Sequence, residues 1–312
     1  MNDRETVLSA RGLSKSYGQV QAVADVSFDA ERGRVVGFLG PNGAGKTTTL
    51  RMLLGLVRPT SGQAHALGVP YRQLRRPLRR VGVSVEADAF TPGRTGRDHL
   101  RCYAGLAGCG RKRIAELLDL VDLTEAADRA VRGYSTGMKR RLSIATALLG
   151  DPDALVLDEP ASGLDPDGIA WLRGLLRGFA DEGKTVLLSS HLLDEMQKTV
   201  DDVLLINRGR MLYSGPLEDL LTPQACVVRP AAGSDEGIRH ALEARGHGVH
   251  ALADGRLRVG TSRQEASAVV AESSSGAGSA IVEPCTLESE FMRLTRADTA
   301  HAAGSATKGS AL

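Results

Sequence analysis

Long apolar runs are missing from this 312-residue chain: stretches such as Ala154–Leu157 end after four residues, far short of the roughly 20 that a bilayer-crossing helix needs. No segment is therefore expected to span a membrane. The N-terminal MNDRETVLSARG mixes charged and polar residues without an apolar core, which predicts no signal peptide and residence in the cytoplasm. Cysteine is scarce. The four present, Cys102, Cys109, Cys226 and Cys285, have spacings of neither a zinc ribbon nor a CxxC redox pair, and read as reduced, small buried or incidental residues. An excess of one charge is also absent: 39 basic against 37 acidic side chains give +2, which argues against a general nucleic-acid binder. The one basic cluster, Arg72, Arg75, Arg76, Arg79 and Arg80, reads as the solvated face of a short helical segment. What is there, 42% hydrophobic and 24% charged with 4% aromatic, describes an ordinary globular protein and excludes whole-chain disorder, collagen-like repetition and a disulfide scaffold. The length allows two domains.

Along the first 220 or so residues, short β-rich runs alternate with helical patterns, the order that builds a parallel sheet covered by helices. Val35–Leu39 reads as a strand entering a glycine-rich turn and a helix over Thr48–Leu54. Val7–Arg11 and Val23–Asp29, joined through Tyr17 and Gly18, are expected to form a small antiparallel sheet at one edge. From Arg97 to Leu149 the pattern is helical, with Ile114, Leu117, Leu118 and Val121 at helix spacing. The β signal returns at Ala154–Leu157, Thr185–Leu188 and Val203–Ile206. Composition shifts near Thr222-Pro223, where a domain boundary is expected. Beyond it the pattern predicts a strand Cys226–Arg229, a helix Gly237–Arg245 and strands His250–Ala253 and Arg256–Val259 about an Asp254-Gly255 turn. A helix Gln264–Glu272, a strand Ile281–Glu283 and a helix Leu287–Leu294 follow, a βαββαβ order of the ferredoxin-like kind. Residues 297–312 read as a disordered polar tail.

The chemistry begins at Gly40–Thr47, GPNGAGKT, a GxxxxGK[ST] phosphate loop standing between a strand and a helix as its mechanism requires. Gly40, Gly43 and Gly45 would let the loop, completed by Pro41, Asn42 and Ala44, wrap a phosphate without Cβ obstruction, with backbone N–H groups and the helix dipole aimed at the anion. Lys46 would reach the β and γ phosphates, the Thr47 hydroxyl would ligate Mg²⁺, and Thr48 continues the loop into the helix. A nucleotide hydrolase also needs carboxylates for the metal and for the attacking water. ALVLDEP supplies Asp158 and Glu159 at the end of an apolar strand, Asp158 lying 112 residues after Lys46. Strand alternation is expected to aim the two carboxylates in different directions.

These residues, together with three further motifs, resemble the ATP-binding cassette (ABC) transport ATPases over most of Val7–Leu221. Tyr134–Met138, YSTGM, followed by KRRLSIATALLGDP, is similar to the family signature; Ser162–Pro166, SGLDP, to the D-loop; and His191 in LLSSHLLDE to the switch histidine. Tyr17, 29 residues before Lys46, matches the aromatic that stacks on adenine. The resemblance implies an α/β fold, a P-loop NTPase (RecA-like) core with an antiparallel β edge over residues 1–221 and an α-helical insertion at about 87–150. A small α+β accessory domain would occupy 222–296. It further implies a homodimer binding ATP and Mg²⁺, in which Ser135 and Gly137 of one chain meet the γ-phosphate held by the other. Glu159 would be the general base, His191 would contact the γ-phosphate, Asp165 would align the interface, and Asp158 would serve the metal. The partner would be a separate membrane permease, with the chain peripheral on the inner face of the membrane; Phe90–Pro92 and Thr95–Leu100 read either as the segment that receives it or as a packed helix start capped by Thr95.

Two departures stand out. Glu86 occupies the position where the family usually has a glutamine; a carboxylate keeps metal coordination but cannot donate a hydrogen bond. Thr136 and Met138 replace the glycine and glutamine of the LSGGQ signature. Both features resemble the bacterial cassettes that serve antibiotic and drug exporters, which implies export of a drug, antibiotic or other hydrophobic compound. The alternatives are a cassette ATPase of translation or DNA repair, or a self-resistance protein binding drug through its C-terminal domain.

Overall fold

The computed structural model describes residues 5–85, 90–221, 225–230, 235–252, 254–273 and 280–306. The chain divides into two units, Met1–Leu192 with Lys198–Ser214, and Leu193–Gln197 with Gly215–Leu312.

The first unit opens with two strands of twelve residues, β1 (Thr6–Tyr17) and β2 (Val20–Glu31), paired antiparallel around the Gly18 turn. After β3 (Val35–Leu39) and α1 (Lys46–Leu53), β4 (Ser61–Ala66) joins the far edge of β1, giving the sheet order β2-β1-β4. Then come β5 (Val81–Ser84), the helices α2 (Gly96–Ala107), α3 (Arg111–Leu120) and α4 (Thr136–Ala147), β6 (Ala154–Asp158), α5 (Pro166–Asp181), β7 (Thr185–Ser190), α6 (Leu193–Gln197), β8 (Asp202–Asn207) and β9 (Arg210–Pro216). The main sheet runs β5-β6-β7-β3-β8-β9, with parallel pairing from β5 through β8. Every residue of β3, β6 and β7 is buried, as a parallel sheet covered on both faces requires. The α/β fold and its helical insertion are as the sequence implies. The weakly patterned β4 (SGQAHA) and β9 (RMLYSGP) are additions.

Two glycines set how closely the layers approach. A Cβ on Gly82 would lie 2.2 Å from the Ala147 carbonyl, so the end of α4 rests directly on β5. Inside the insertion, the Tyr134 hydroxyl donates to Ala126 O at 2.6 Å and stands 2.4 Å from where a Gly96 Cβ would be. The expected helical face of Arg72–Arg80 is instead two one-turn 3₁₀ helices, Tyr71–Gln73 and Pro77–Arg79. Arg76 adopts φ 53° before Pro77, a left-handed residue that no continuous helix accommodates.

In the second unit, α7 (Leu217–Leu220) precedes β10 (Cys226–Arg229), α8 (Asp235–Ala244), β11 (Val249–Ala251), β12 (Leu257–Val259), α9 (Arg263–Ser273), β13 (Ile281–Pro284) and α10 (Leu287–Ala306). The antiparallel order β11-β12-β10-β13 is the arrangement expected of a βαββαβ chain. Its core joins Cys226, Val228, Leu242, Val259 and Val269. The unit takes in α6, whose Gln197 accepts from the Leu287 N–H at 2.8 Å. The last helix runs to Ala306, so residues 297–306 of the tail expected to be disordered are helical, in keeping with the strong helix formers Ala297, Ala300, Ala302 and Ala303; residues 307–312 lie outside the described residues.

Candidate active site

β3 delivers the chain into the phosphate loop, and its conformation requires the glycines. Gly45 caps α1 at φ 107°, where a Cβ would sit 2.7 Å from Ala22 O. A Cβ on Gly40 would lie 2.2 Å from Ile206 O. Gly43, at φ 79°, instead faces open space, so an incoming group can approach its backbone. The loop residues Pro41–Thr48, with Ala22 and Glu159, line a cavity of about 220 Å³, and the N–H groups at the start of α1 are suited to an anion there.

Lys46, 5% exposed, donates to Gly40 O at 2.6 Å and Pro41 O at 3.3 Å and lies 3.3 Å from Glu159 Oε1. The ammonium is thus held by the loop's own carbonyls and by the carboxylate. Thr47 Oγ1 donates to Asp158 Oδ2 at 2.8 Å. Two adjacent hard oxygen donors of this kind fit Mg²⁺.

Asp158 and Glu159 separate as expected, but for a different reason. Glu159 is not in the strand: it takes φ 49°, a left-handed conformation that costs about 1–2 kcal/mol for a non-glycine residue. Its carboxylate swings to Lys46 and to His191 Nδ1, 2.7 Å from Oε2. Ser189, directly across from Asp158 in the parallel register, was not anticipated. Its hydroxyl donates to Asp158 Oδ1 in a short hydrogen bond and accepts from the Glu159 N–H at 2.9 Å. One buried serine therefore fixes one carboxylate through its side chain and the other through its backbone. The only hint in the sequence is the Ser189-Ser190 pair preceding His191.

Lys46, Thr47, Asp158, Glu159 and His191 are thus brought together, whereas Tyr17, Ser135, Gly137 and Asp165 do not line the cavity. Tyr17 is 52% exposed at the end of β1, with Lys15 Nζ 4.9 Å from its ring centroid. Ser135 caps α4, accepting from the Met138 N–H at 3.2 Å, and Asp165 caps α5 through the Gly168 N–H at 2.9 Å. The two caps are neighbours. A Cβ on Gly163 (φ 79°) would stand 2.6 Å from Thr136 Cγ2, and one on Gly137 would stand 3.4 Å from Gly163 O. Glu86 lies outside the described residues.

Beside α2 opens a larger groove of about 460 Å³, lined among others by Leu56, Val83, Phe90, His99, Tyr103 and Ser143. His99 sits between Phe90, edge-on at 4.8 Å, and Tyr103, tilted at 5.0 Å, and burial, aided by nearby Arg94, pushes its imidazole down to about 4. Thr95 caps α2, accepting from the Asp98 N–H at 3.1 Å.

Comparison with known proteins agrees with this geometry. A family model described as ABC transporter matches residues 23–162. The chain is 42% identical over 218 residues to the bacitracin transport ATP-binding protein BcrA of Bacillus licheniformis, covering 69% of this chain and 71% of that protein. It is also 42% identical over 238 residues to the Nod factor export ATP-binding protein I of Ralstonia nicotianae, covering 73% of each. Among solved structures, an ATP-binding subunit of an ABC transporter superposes with TM-score 0.63 at 30% identity, covering 69% of this chain and 92% of that one. A phosphate loop facing paired carboxylates and a histidine, on the fold and sequence of these relatives, places the chain in the ABC transporter family, as an ATP-binding and ATP-hydrolysing subunit.

Proposed function

We propose that the chain energises export of a drug, antibiotic or other hydrophobic compound through a separate membrane permease, working as a homodimer peripheral on the cytoplasmic face. The export reading is supported by the likeness to the bacitracin transport and Nod factor export proteins. For the chemistry, one observation carries the reading: the phosphate loop and Glu159 line one cavity, with Asp158 bonded to the loop through Thr47, and the α4 N-terminus does not line it. A site so divided is completed by Ser135 and Gly137 of a second copy, whose N–H groups and hydroxyl suit a γ-phosphate.

Within the site, Lys46 exchanges its loop carbonyls for β and γ phosphate oxygens. Its release from Glu159 leaves that carboxylate to accept a proton from the attacking water, while His191 keeps it oriented and contacts the γ-phosphate. Thr47 and Asp158 are the residues that would hold Mg²⁺, which when bound supplies positive charge to the phosphate oxygens. Tyr17 offers its exposed ring to adenine, and Asp165 aligns the partner cassette. The groove beside α2, at Phe90 and Thr95–Leu100, is assigned to the permease.

The test is Glu159→Gln, with size exclusion in Mg²⁺ and ATP and phosphate release in parallel. Turnover should fall about 10²- to 10⁴-fold while ATP binding persists and a dimer accumulates. Wild-type turnover in the variant would remove Glu159 as base, and a monomer that binds ATP would remove the self-complementary pairing.

A further inference from the structure

Between Glu31 and Glu86 the chain contains ten Lys or Arg residues and no Asp or Glu, a local charge of +10 in a protein of net +2. Several of these are committed elsewhere: Arg32 to Glu5, Arg34 to Asp202, Arg80 to Asp153, and Lys46 to the phosphate loop. Arg72 bonds the carbonyl of Gly55. Arg75, Arg76 and Arg79 are exposed and have no ion-pair partner among the described residues. Arg75 and the left-handed Arg76 stand between the two 3₁₀ turns, and Arg79 ends the second.

Among the described residues, two of the most exposed large apolar side chains lie close in the chain to backbone that this arginine segment approaches. Leu56, 60% exposed, follows the Gly55 that Arg72 covers; Leu106, 70% exposed, lies two residues before Gly108, where a Cβ would come within 3.9 Å of the Arg79 guanidinium. Leu56 also lines the rim of the groove that holds His99 and Tyr103 of α2, so the arginines and leucines lie beside the groove assigned to the permease rather than within it. Exposed leucines among unpaired arginines are costly in water alone, and they match a surface with anions outside and hydrocarbon beneath. A nucleic acid or an acidic loop would use the arginines and leave the leucines uncovered. Guanidiniums fixed by no neighbouring group also suit mobile headgroups better than a single defined ion pair.

We infer that this face binds the bilayer directly, with Arg75, Arg76 and Arg79 on anionic phospholipid headgroups and Leu56 and Leu106 in the interfacial layer. Only the direction in which the face points rests on the permease-docking reading above. Lipid binding belongs to the chain itself and is measured without a permease, so the two readings fail separately.

The experiment is cosedimentation of the purified full chain with vesicles of phosphatidylcholine alone or with about 30% phosphatidylglycerol. Each arginine near an anionic leaflet contributes about fivefold to partitioning. The wild type should therefore bind the anionic vesicles, and R75Q/R76Q/R79Q should partition on the order of 100-fold more weakly while hydrolysing ATP at the wild-type rate. Raising salt to 1 M, where the Debye length falls to about 3 Å, should release the wild type. L56S/L106S should weaken binding without changing its salt dependence. Equal binding to the two vesicle types, or equal binding by the wild type and the arginine variant, would overturn the inference. So would an absence of vesicle binding combined with loss of permease copurification in the arginine variant, which would assign the face to an acidic segment of the permease.

Discussion

Replacing Ser189 with alanine removes two hydrogen bonds at once, and their consequences separate. The bond from Ser189 to Asp158 serves a charged acceptor, a class that contributes about 1.5–3 kcal/mol, and the bond from the Glu159 N–H about 0.5–1.5 kcal/mol. Folding stability should therefore fall by about 2–4 kcal/mol. The second loss bears on turnover, because Glu159 is held at φ 49° against a preference of about 1–2 kcal/mol for right-handed or extended backbone. With the pin gone, the poised conformer should lose about 1 kcal/mol relative to its competitors, lowering kcat about fivefold. KM for ATP should change little, since Lys46 and the loop glycines are untouched. Steady-state phosphate release at saturating Mg-ATP, with a thermal melt on the same samples, reads both effects. A variant that melts early yet keeps kcat within a factor of two would refute the claim that Ser189 holds the left-handed Glu159.

Two further outcomes follow from the geometry. His99 is neutral and buried with its imidazole pushed down to about 4, against about 6.5 in an unfolded chain. The unfolded state then binds more protons between those values, so this contribution is complete above pH 6.5 and is lost as pH falls toward 4, by about 3 kcal/mol in total. Melting curves from pH 7 to 4.5 should show the wild type losing more stability than His99→Leu, and parallel curves would sink the assignment. Gly45→Ala places a Cβ 2.7 Å from Ala22 O at φ 107°. ATP binding should weaken at least tenfold in a direct titration, and an unchanged Kd would show that the loop tolerates another shape.

Much of the site was legible because its chemistry demands particular residues in fixed order: three glycines around a lysine, then acids at a strand end. The divergence of Asp158 and Glu159 was foreseen, but through strand alternation, whereas the cause is a backbone twist that no side-chain pattern records. Ser189 stayed hidden because a serine inside an apolar strand looks like any tolerated small residue until its register partner is known. The Arg72–Arg80 segment misled for a related reason: its charge spacing resembles a helix, but Arg76 and Pro77 break the chain between two turns. In β4 and β9 small and polar residues carry little strand signal, and pairing with β1 and β8 decides their conformation. The polar composition after Ala297 masked the helix-forming alanines that extend α10.

The contact between Thr136 and Gly163 transfers a constraint from one motif to another. In a signature with glycine at this position, the residue facing it would answer only to its own backbone. Here the threonine methyl group occupies the space a side chain at 163 would need, so position 163 is restricted twice, by its left-handed φ and by its neighbour. Substitutions at the two sites should therefore be strongly non-additive, and sequences that change one are expected to keep or change the other with it. The departure in YSTGM is thereby recorded in the evolutionary freedom of a loop 27 residues away.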